Sequence, residues 1–325
     1  MSSKEQHPSK RKHSAKKQGF VLVLTLLVIT ALTGLVVSFS DESSVEMNLA
    51  GFSRDNYKAT QMARSGIQLA LALLDADDRT MDSLKEDWSL FGAKPFPEDL
   101  PDDASISAKI VDESGKLNVN YLIDNAGKIN EERVVQFKRL FKALGIEENL
   151  LDPVLDWLDQ DNTARLEGAE TFYYMSLEHP YRCANGPLQT IGQIFLIKGL
   201  KEIAEFGEGK KKRLLDFLTI YSDGKVNINT APKEVLQSLS EKLDDAVAEA
   251  IIEYRKEEDF LSIDDLTKVP GVDAGLFDDI KKWITVKSST FSITAKGTWR
   301  EATANIKAVC QRKEDGLKLI YWKVS

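Results

Sequence analysis

The sequence predicts an α+β fold in which one long N-terminal helix, a small antiparallel sheet and a large all-helical insertion share the chain. Three observations carry this. Residues 20–40 are an unbroken apolar run, and apolar or small residues continue beyond it at helical spacing. Segments of strand-like alternation lie at 105–111 and again near the C-terminus. Between them a six-residue motif occurs twice, each time leading into a helical pattern.

The 325 residues, 42% apolar, suffice for two or three cores. Acidic side chains outnumber basic ones, 51 to 43. Residues 1–19 nonetheless carry Lys4, Lys10, Arg11, Lys12, Lys16 and Lys17 against Glu5 alone. The rest of the chain is therefore strongly acidic and a poor general binder of nucleic acid. Two cysteines and three histidines leave little material for a zinc site or a disulfide scaffold.

Taken in order, the apolar run comes first. A 21-residue helix over 20–40 measures about 31 Å, the thickness of a bilayer hydrocarbon core. Basic residues precede it and Asp41, Glu42 and Glu46 follow, which keeps the N-terminus cytoplasmic and sends 41–325 across the membrane. A cleaved signal peptide is the nearer alternative, but residues 35–40 offer only a weak small-residue cleavage site. Beyond the membrane, Val45, Leu49, Phe52, Ala59, Ala63, Ile67, Ala70 and Leu74 place one face of a continuing helix against a globular domain. Residues 75–104, rich in Asp, Pro and Lys, read as an exposed loop. A strand follows at 105–111.

The repeat is Gly115-Lys-Leu-Asn-Val-Asn120 and Gly224-Lys-Val-Asn-Ile-Asn229. The first copy continues through Val134, Phe137, Leu140 and Phe141 and closes on Gln193-Ile-Phe-Leu-Ile-Lys-Gly199. The second continues through Val235, Leu236, Leu239, Ala250 and Ile251 and closes on Asp265-Leu-Thr-Lys-Val-Pro-Gly271. Three alternating segments, 291–297, 303–309 and 318–324, end the chain as antiparallel strands and are the partners available to 105–111. The expected divisions are 1–19 leader, 20–40 membrane helix, 41–120 first part of the sheet domain, 121–213 and 214–285 helical modules, and 286–325 closing strands.

One cluster has metal-ligand character. Asp159, Asp161, Thr163 and Glu170 stand at positions 1, 3, 5 and 12 of a loop, the spacing with which oxygen ligands surround calcium. Ala164 occupies the position where an EF-hand has Gly, and the flanks are not clear EF-hand helices, so a solvated helix cap is the competing reading. Asp156 and Glu167 are secondary candidates.

The basic run that stops at Gly19-Phe20, directly before the apolar helix, resembles a type IV prepilin leader. That resemblance implies cleavage between Gly19 and Phe20 by a prepilin peptidase, methylation of Phe20, and retention of the apolar helix. Most pilin-like proteins have Glu at the fifth mature position; here it is Leu24, as in the subunit assigned to a filament tip. The whole chain is similar to the minor pseudopilin K family of type II secretion. The similarity rests on Met62-Ala-Arg-Ser-Gly-Ile-Gln-Leu-Ala-Leu-Ala-Leu-Leu74, Asp112-Glu-Ser-Gly-Lys-Leu-Asn-Val-Asn120, Asp156-Trp-Leu-Asp-Gln-Asp161, Gly168-Ala-Glu-Thr-Phe-Tyr-Tyr174, Asn185-Gly-Pro-Leu188, the second repeat and the terminal strands. It implies a pilin-like α/β domain carrying SAM-like, helix-hairpin-helix-like modules. It also implies calcium near 159–170, and partners in minor pseudopilins I and J, the major pseudopilin and an inner-membrane secretion platform. A minor pilin of a type IV pilus is the alternative within that class.

A membrane-anchored DNA receptor is the rival reading, because 224–273 also resembles a tandem helix-hairpin-helix. Yet residues 240–245 read Ser-Glu-Lys-Leu-Asp-Asp where a Gly-x-Gly turn belongs, and 223–285 carries 8 basic against 15 acidic side chains. Catalysis is not expected: His179 stands in a turn sequence, and neither a Gly-x-Ser-x-Gly elbow nor a P-loop occurs. Trp157, Tyr173, Tyr174, Trp283 and Trp299 read as packing residues. A Cys183–Cys310 disulfide is possible in an oxidising compartment, although the two fall in different predicted domains.

Overall fold

A computed structural model describes residues 12–92, 100–201, 203 and 213–325. Helix α1 (Lys12–Ala76) runs 65 residues without a break, so the apolar segment and the amphipathic segment behind it form one rod. It is long and apolar enough to cross a membrane. The Gly19-Phe20 junction lies within it, while leader residues 1–11 lie outside the described residues. Ala59, Ala63, Ile67, Ala70 and Leu74 are fully buried, three or four residues apart on one face. Val45, Leu49 and Phe52, expected on the same packed face, are instead 58–64% exposed. The reason is geometric: the sheet's near end, Trp299 and Ala302, reaches only as far as Ala59.

Eight strands follow among the described residues: β1 (Ala104–Asp112), β2 (Leu117–Asn118), β3 (Leu218–Thr219), β4 (Val226–Asn227), β5 (Ile284–Thr285), β6 (Thr290–Trp299), β7 (Ala302–Lys313) and β8 (Gly316–Val324). The main sheet has the order β1-β6-β7-β8, antiparallel throughout. One face packs on α1, with Ala108, Ile110, Phe291, Ile293, Ala295, Ile306, Ala308 and Cys310 against the α1 stripe. Small residues set the separation. A Cβ on Gly297 would stand 2.2 Å from the Ala59 carbonyl oxygen and 2.3 Å from the Ala63 nitrogen, so the helix backbone rests directly on β6 there.

β1 and β6 are hydrogen-bonded neighbours, with Asp112 opposite Phe291, so everything between them is an insertion in the sheet. It consists of two similar units. β2 pairs in parallel with β3 to close the first, and β4 pairs in parallel with β5 to close the second. The repeated asparagines explain the repeat. In each copy the first, Asn118 or Asn227, accepts from the backbone N–H of the second, Asn120 or Asn229. The second then clamps a distant backbone with both ends of its amide. Asn120 takes the N–H and C=O of Leu188, and Asn229 those of Phe260. Two residues on, Thr190 with Gln193 and Ser262 with Asp265 form capping boxes on short 3-10 helices (Ile191–Leu196 and Ile263–Lys268). Gly199 and Gly271 end them with φ of 76° and 90°. The expected division at 213 falls inside the first pair-closed unit, since β3 belongs with β2. Among the described residues the α-helices beyond α1 are α2 (Asp87–Leu90), α3 (Glu131–Leu144), α4 (Asp152–Leu158), α5 (Thr171–Met175), α6 (Lys233–Leu239), α7 (Asp245–Glu257) and α8 (Ala274–Ile280). Both units share one continuous core.

The expectation of an exposed loop over 75–104 is corrected in its first half. Asp82 and Ser83 are fully buried, and Trp88 packs edge-on against Phe291 with ring centroids 5.0 Å apart. The cause is a polar joint between sheet and insertion. Arg312 of β7 pairs with Asp77 and Asp82, and Ser288 donates its backbone N–H to Asp82. Asn227 donates to the Asp82 carbonyl, and Asp112 accepts from Ser288 and Thr230 hydroxyls. Burial pushes the Asp82 carboxyl up to about 7 despite Arg312. Cys183 and Cys310 are both free and buried, one in each core, so no disulfide joins them.

Candidate metal centre

The twelve residues 159–170 bridge α4 and α5. α4 starts at Asp152-Pro153, with the proline in the first turn where its missing N–H costs nothing, and buries Val154 to Leu158. Its last residue is Leu158, so Asp159 caps its C-terminus and the loop begins inside the core. At the far end Glu170 is the residue before α5. The return is fixed by Tyr174, edge-on to Trp157 at 5.2 Å and stacked on Tyr181 at 5.2 Å. Gly168 lets the chain fold over Asp156, since a Cβ there would stand 1.8 Å from Asp156 Oδ2.

This path gathers Asp159, Asp161 and Glu170, which offer carboxylate oxygens within 4.8 Å of one another. Asp159 and Glu170 are each only 5% exposed, while Asp161 faces solvent. Asp156, fully buried, lies behind them and is engaged by Arg165, whose Nη1 also stands 2.8 Å from Asp159 Oδ2. Thr163 joins through its backbone, donating to Asp161 Oδ1 at 2.7 Å. Glu167 holds a different place: its carbonyl accepts from Lys198 and its N–H donates to Asp152.

What remains unpaired is informative. Asp159 Oδ1 and both Glu170 carboxylate oxygens are buried without a partner among the described residues. Burial, and then the charges of Asp156, Asp159 and Asp161, push the Glu170 carboxyl up to about 7. Burial raises Asp159 as well, against the pull of Arg165. Buried, unpaired carboxylate oxygens are costly, and a hard cation that takes oxygen ligands removes that cost. The donor set therefore fits such a cation. Asn185 adds a further orphaned buried oxygen, Oδ1, while its Nδ2 donates to the Asp161 carbonyl at 2.6 Å. Its φ of 45° is one of two positive values at non-glycine residues among those described. Arg165, Gly168 and Asn185 are not among the residues that the loop spacing points to; Gly168 opens the Gly-Ala-Glu-Thr-Phe-Tyr-Tyr motif and Asn185 the Asn-Gly-Pro-Leu motif, whereas Arg165 had no signal. A second acidic group, Asp77, Asp82 and Glu86, fits no cation, because Arg312 and the Ser83 and Trp88 N–H groups already satisfy it.

Elsewhere, most basic side chains of the second helical unit are engaged within the chain. Of the eight cations in 223–285, Lys233, Lys242, Lys256, Lys268, Lys281 and Lys282 are ion-paired. Arg255 is spent on the Ile228 and Ala231 carbonyls. Gly271 serves packing, with Val247 Cγ2 2.9 Å from where its Cβ would lie. His179 is exposed. Trp157 and Tyr174 are core residues, Trp283 lies under Arg133, and Trp299 under Lys58.

Comparison with known proteins agrees with this architecture. Residues 115–221 and 226–287 each match the family described as type II secretion system protein K. Type II secretion system protein K of Pseudomonas aeruginosa is 31% identical over 267 residues, 78% of this chain and 76% of that protein. A chain of the crystal structure of the GspK-GspI-GspJ complex of enterotoxigenic Escherichia coli shares the fold, with a TM-score of 0.67. That match is 18% identical and covers 84% of this chain and 98% of the other. ComE operon protein 1 of Bacillus subtilis is 47% identical, over 74 residues and 21% of this chain. With both repeat units matched and a relative this similar across most of its length, the chain belongs to the type II secretion system protein K family.

Proposed function

We propose that this chain is a minor pseudopilin, held in the inner membrane by residues 20–40 with 41–325 in the periplasm, and placed at the tip of a secretion pseudopilus. The observation that carries the reading is the single rod of α1. Its apolar half is uncharged and unpacked, free to lie in lipid or in a filament core, while its other half holds the sheet. Prepilin peptidase would release Phe20 as the new terminus. Leu24 carries no charge with which to neutralise the terminal amine of a neighbour. The insertion grows from the joint just past Ala76, about 54 Å along the rod from Ser40, and so crowds the end opposite the membrane. Both features suit a subunit with nothing stacked above it. The role is structural, with pseudopilins I and J and the major pseudopilin as neighbours and an inner-membrane platform beneath. Calcium would be held by Asp159, Asp161 and Glu170, with Asn185 Oδ1 in reach of the same loop, and would pin residues 159–170 to the core.

Co-purification tests the assembly. Full-length chain co-expressed with its cognate pseudopilins I and J and extracted in mild detergent is expected to elute as one complex. Elution of this chain alone under conditions where I and J bind each other contradicts the proposal.

A further inference from the structure

The sheet has a second face, turned away from α1, and its charge is one-sided. Alternation along the strands puts Lys109 of β1, Lys296 of β6, Lys307 of β7 and Lys318 and Lys323 of β8 on it, all exposed. Register lines them up: Lys109 and Lys307 flank Thr294, and Lys307 stands directly opposite Lys323. No acidic residue lies on this face of the four strands, in a chain where acids outnumber bases 51 to 43. None of the five lysines makes an ion pair among the described residues, unlike most lysines of the second helical unit.

Edge lysines commonly guard a sheet against aggregation. That accounts for β1 and β8 but not for Lys296 and Lys307, which sit on the two interior strands. Like charges directly across a strand pair, as at Lys307 and Lys323, destabilise a sheet. The face continues into a cleft of about 590 Å³ between the sheet and the first helical unit. Among the described residues its acids are Glu113 and Asp216, taken by Lys116 at 2.7 Å and by Arg213 at 2.8 Å, and Lys109 and Lys307 stand unpaired on the cleft wall.

We propose that this lysine face is a docking surface for a short acidic segment of a partner protein. Charge complementarity selects the chemistry. Lipid headgroups are out of reach: the face begins beside Gly297, which rests on Ala59, about 28 Å along the helix from Ser40 and several Debye lengths from the bilayer. A long polyanion would run past the patch onto an acidic body that repels it, whereas a short acidic segment ends where the lysines end. The inference rests on charge and register and is independent of the assembly role.

The test uses the full chain in phosphatidylcholine nanodiscs and a fluorescent peptide of alternating Glu and Ser, read by anisotropy at about 50 mM salt. The triple variant Lys296→Gln/Lys307→Gln/Lys323→Gln is expected to weaken binding about tenfold or more, and the matching Arg triple to retain it. A control triple of equal charge on the second unit and its linker, Lys225→Gln/Lys281→Gln/Lys287→Gln, is expected to change it less than about twofold. Absence of peptide binding by the unaltered chain overturns the proposal, as does an equal loss in both Gln triples. So does a face triple that loses affinity for phosphatidylglycerol vesicles while keeping it for the peptide.

Discussion

Replacing Glu170 by Gln isolates the carboxylate cluster, because it exchanges a buried, unpaired charge for a neutral group of the same shape. In the folded protein this carboxyl is pushed to about 7 from an ordinary 4.5. Protonation of Glu170 therefore stabilises the fold fully below about pH 4.5, and that contribution disappears as pH rises through 7. Above pH 8 the loss amounts to about 3 kcal/mol. Without divalent cations, at pH 8, Glu170→Gln is thus expected to be more stable than the unaltered chain, with a melting temperature higher by roughly 5–10 °C. Near pH 5 the difference should shrink. Calcium at a hundredfold excess over its dissociation constant should add about 2.7 kcal/mol to the unaltered chain. The variant, lacking the ligand, should gain much less, so calcium closes or reverses the gap. The assay is thermal unfolding of the full-length protein in detergent, with chelator and with calcium, at both pH values. A variant less stable in chelator at pH 8, or one with the same calcium gain as the unaltered chain, refutes the reasoning.

Three further outcomes follow from packing. Gly297→Val drives a side chain into the backbone of α1 at Ala59 and Ala63 and should cost about 3 kcal/mol or more in thermal unfolding, whereas Gly34→Val, with nothing within 4 Å, should cost nothing measurable. Asn229→Ala strands the N–H and C=O of Phe260 in the core and should destabilise by about 2–4 kcal/mol in denaturant unfolding, with Asn120→Ala acting likewise in the first unit. Burial pushes the Cys183 and Cys310 thiols up to about 11, so both should resist a thiol reagent at pH 8 until denaturant is added, and both should then react.

Much of the fold was legible because its signals are local. The uncharged run 20–40, the stripe from Ala59 to Leu74 and the alternation of the four long strands each follow from a helix or strand period. The repeated Asn-x-Asn was visible as a repeat, but its purpose was not, since each clamp closes on a backbone 31 or 68 residues away. The same distance problem hid the polar joint. Asp82 looks like a loop residue until Arg312, 230 positions on, is placed beside it. At the carboxylate cluster, spacing found Asp159, Asp161 and Glu170, whereas Thr163 contributes through its backbone and Asp156 answers to Arg165. Loop spacing reports which oxygens can converge, and tertiary contacts decide which of them are already taken. In the second half of α1, hydrophobic period shows which face could pack and says nothing of where the sheet ends, so Val45, Leu49 and Phe52 stay exposed beyond it.

Under the proposed function the apolar half of α1 stays on the mature protein as anchor and assembly element. Intact-mass and N-terminal analysis of the protein recovered from membranes tests it most directly. The expected mature chain begins at Phe20, carries one added methyl group and retains 306 residues. A mature chain that begins beyond Ser40, recovered free of the membrane, rules that retention out.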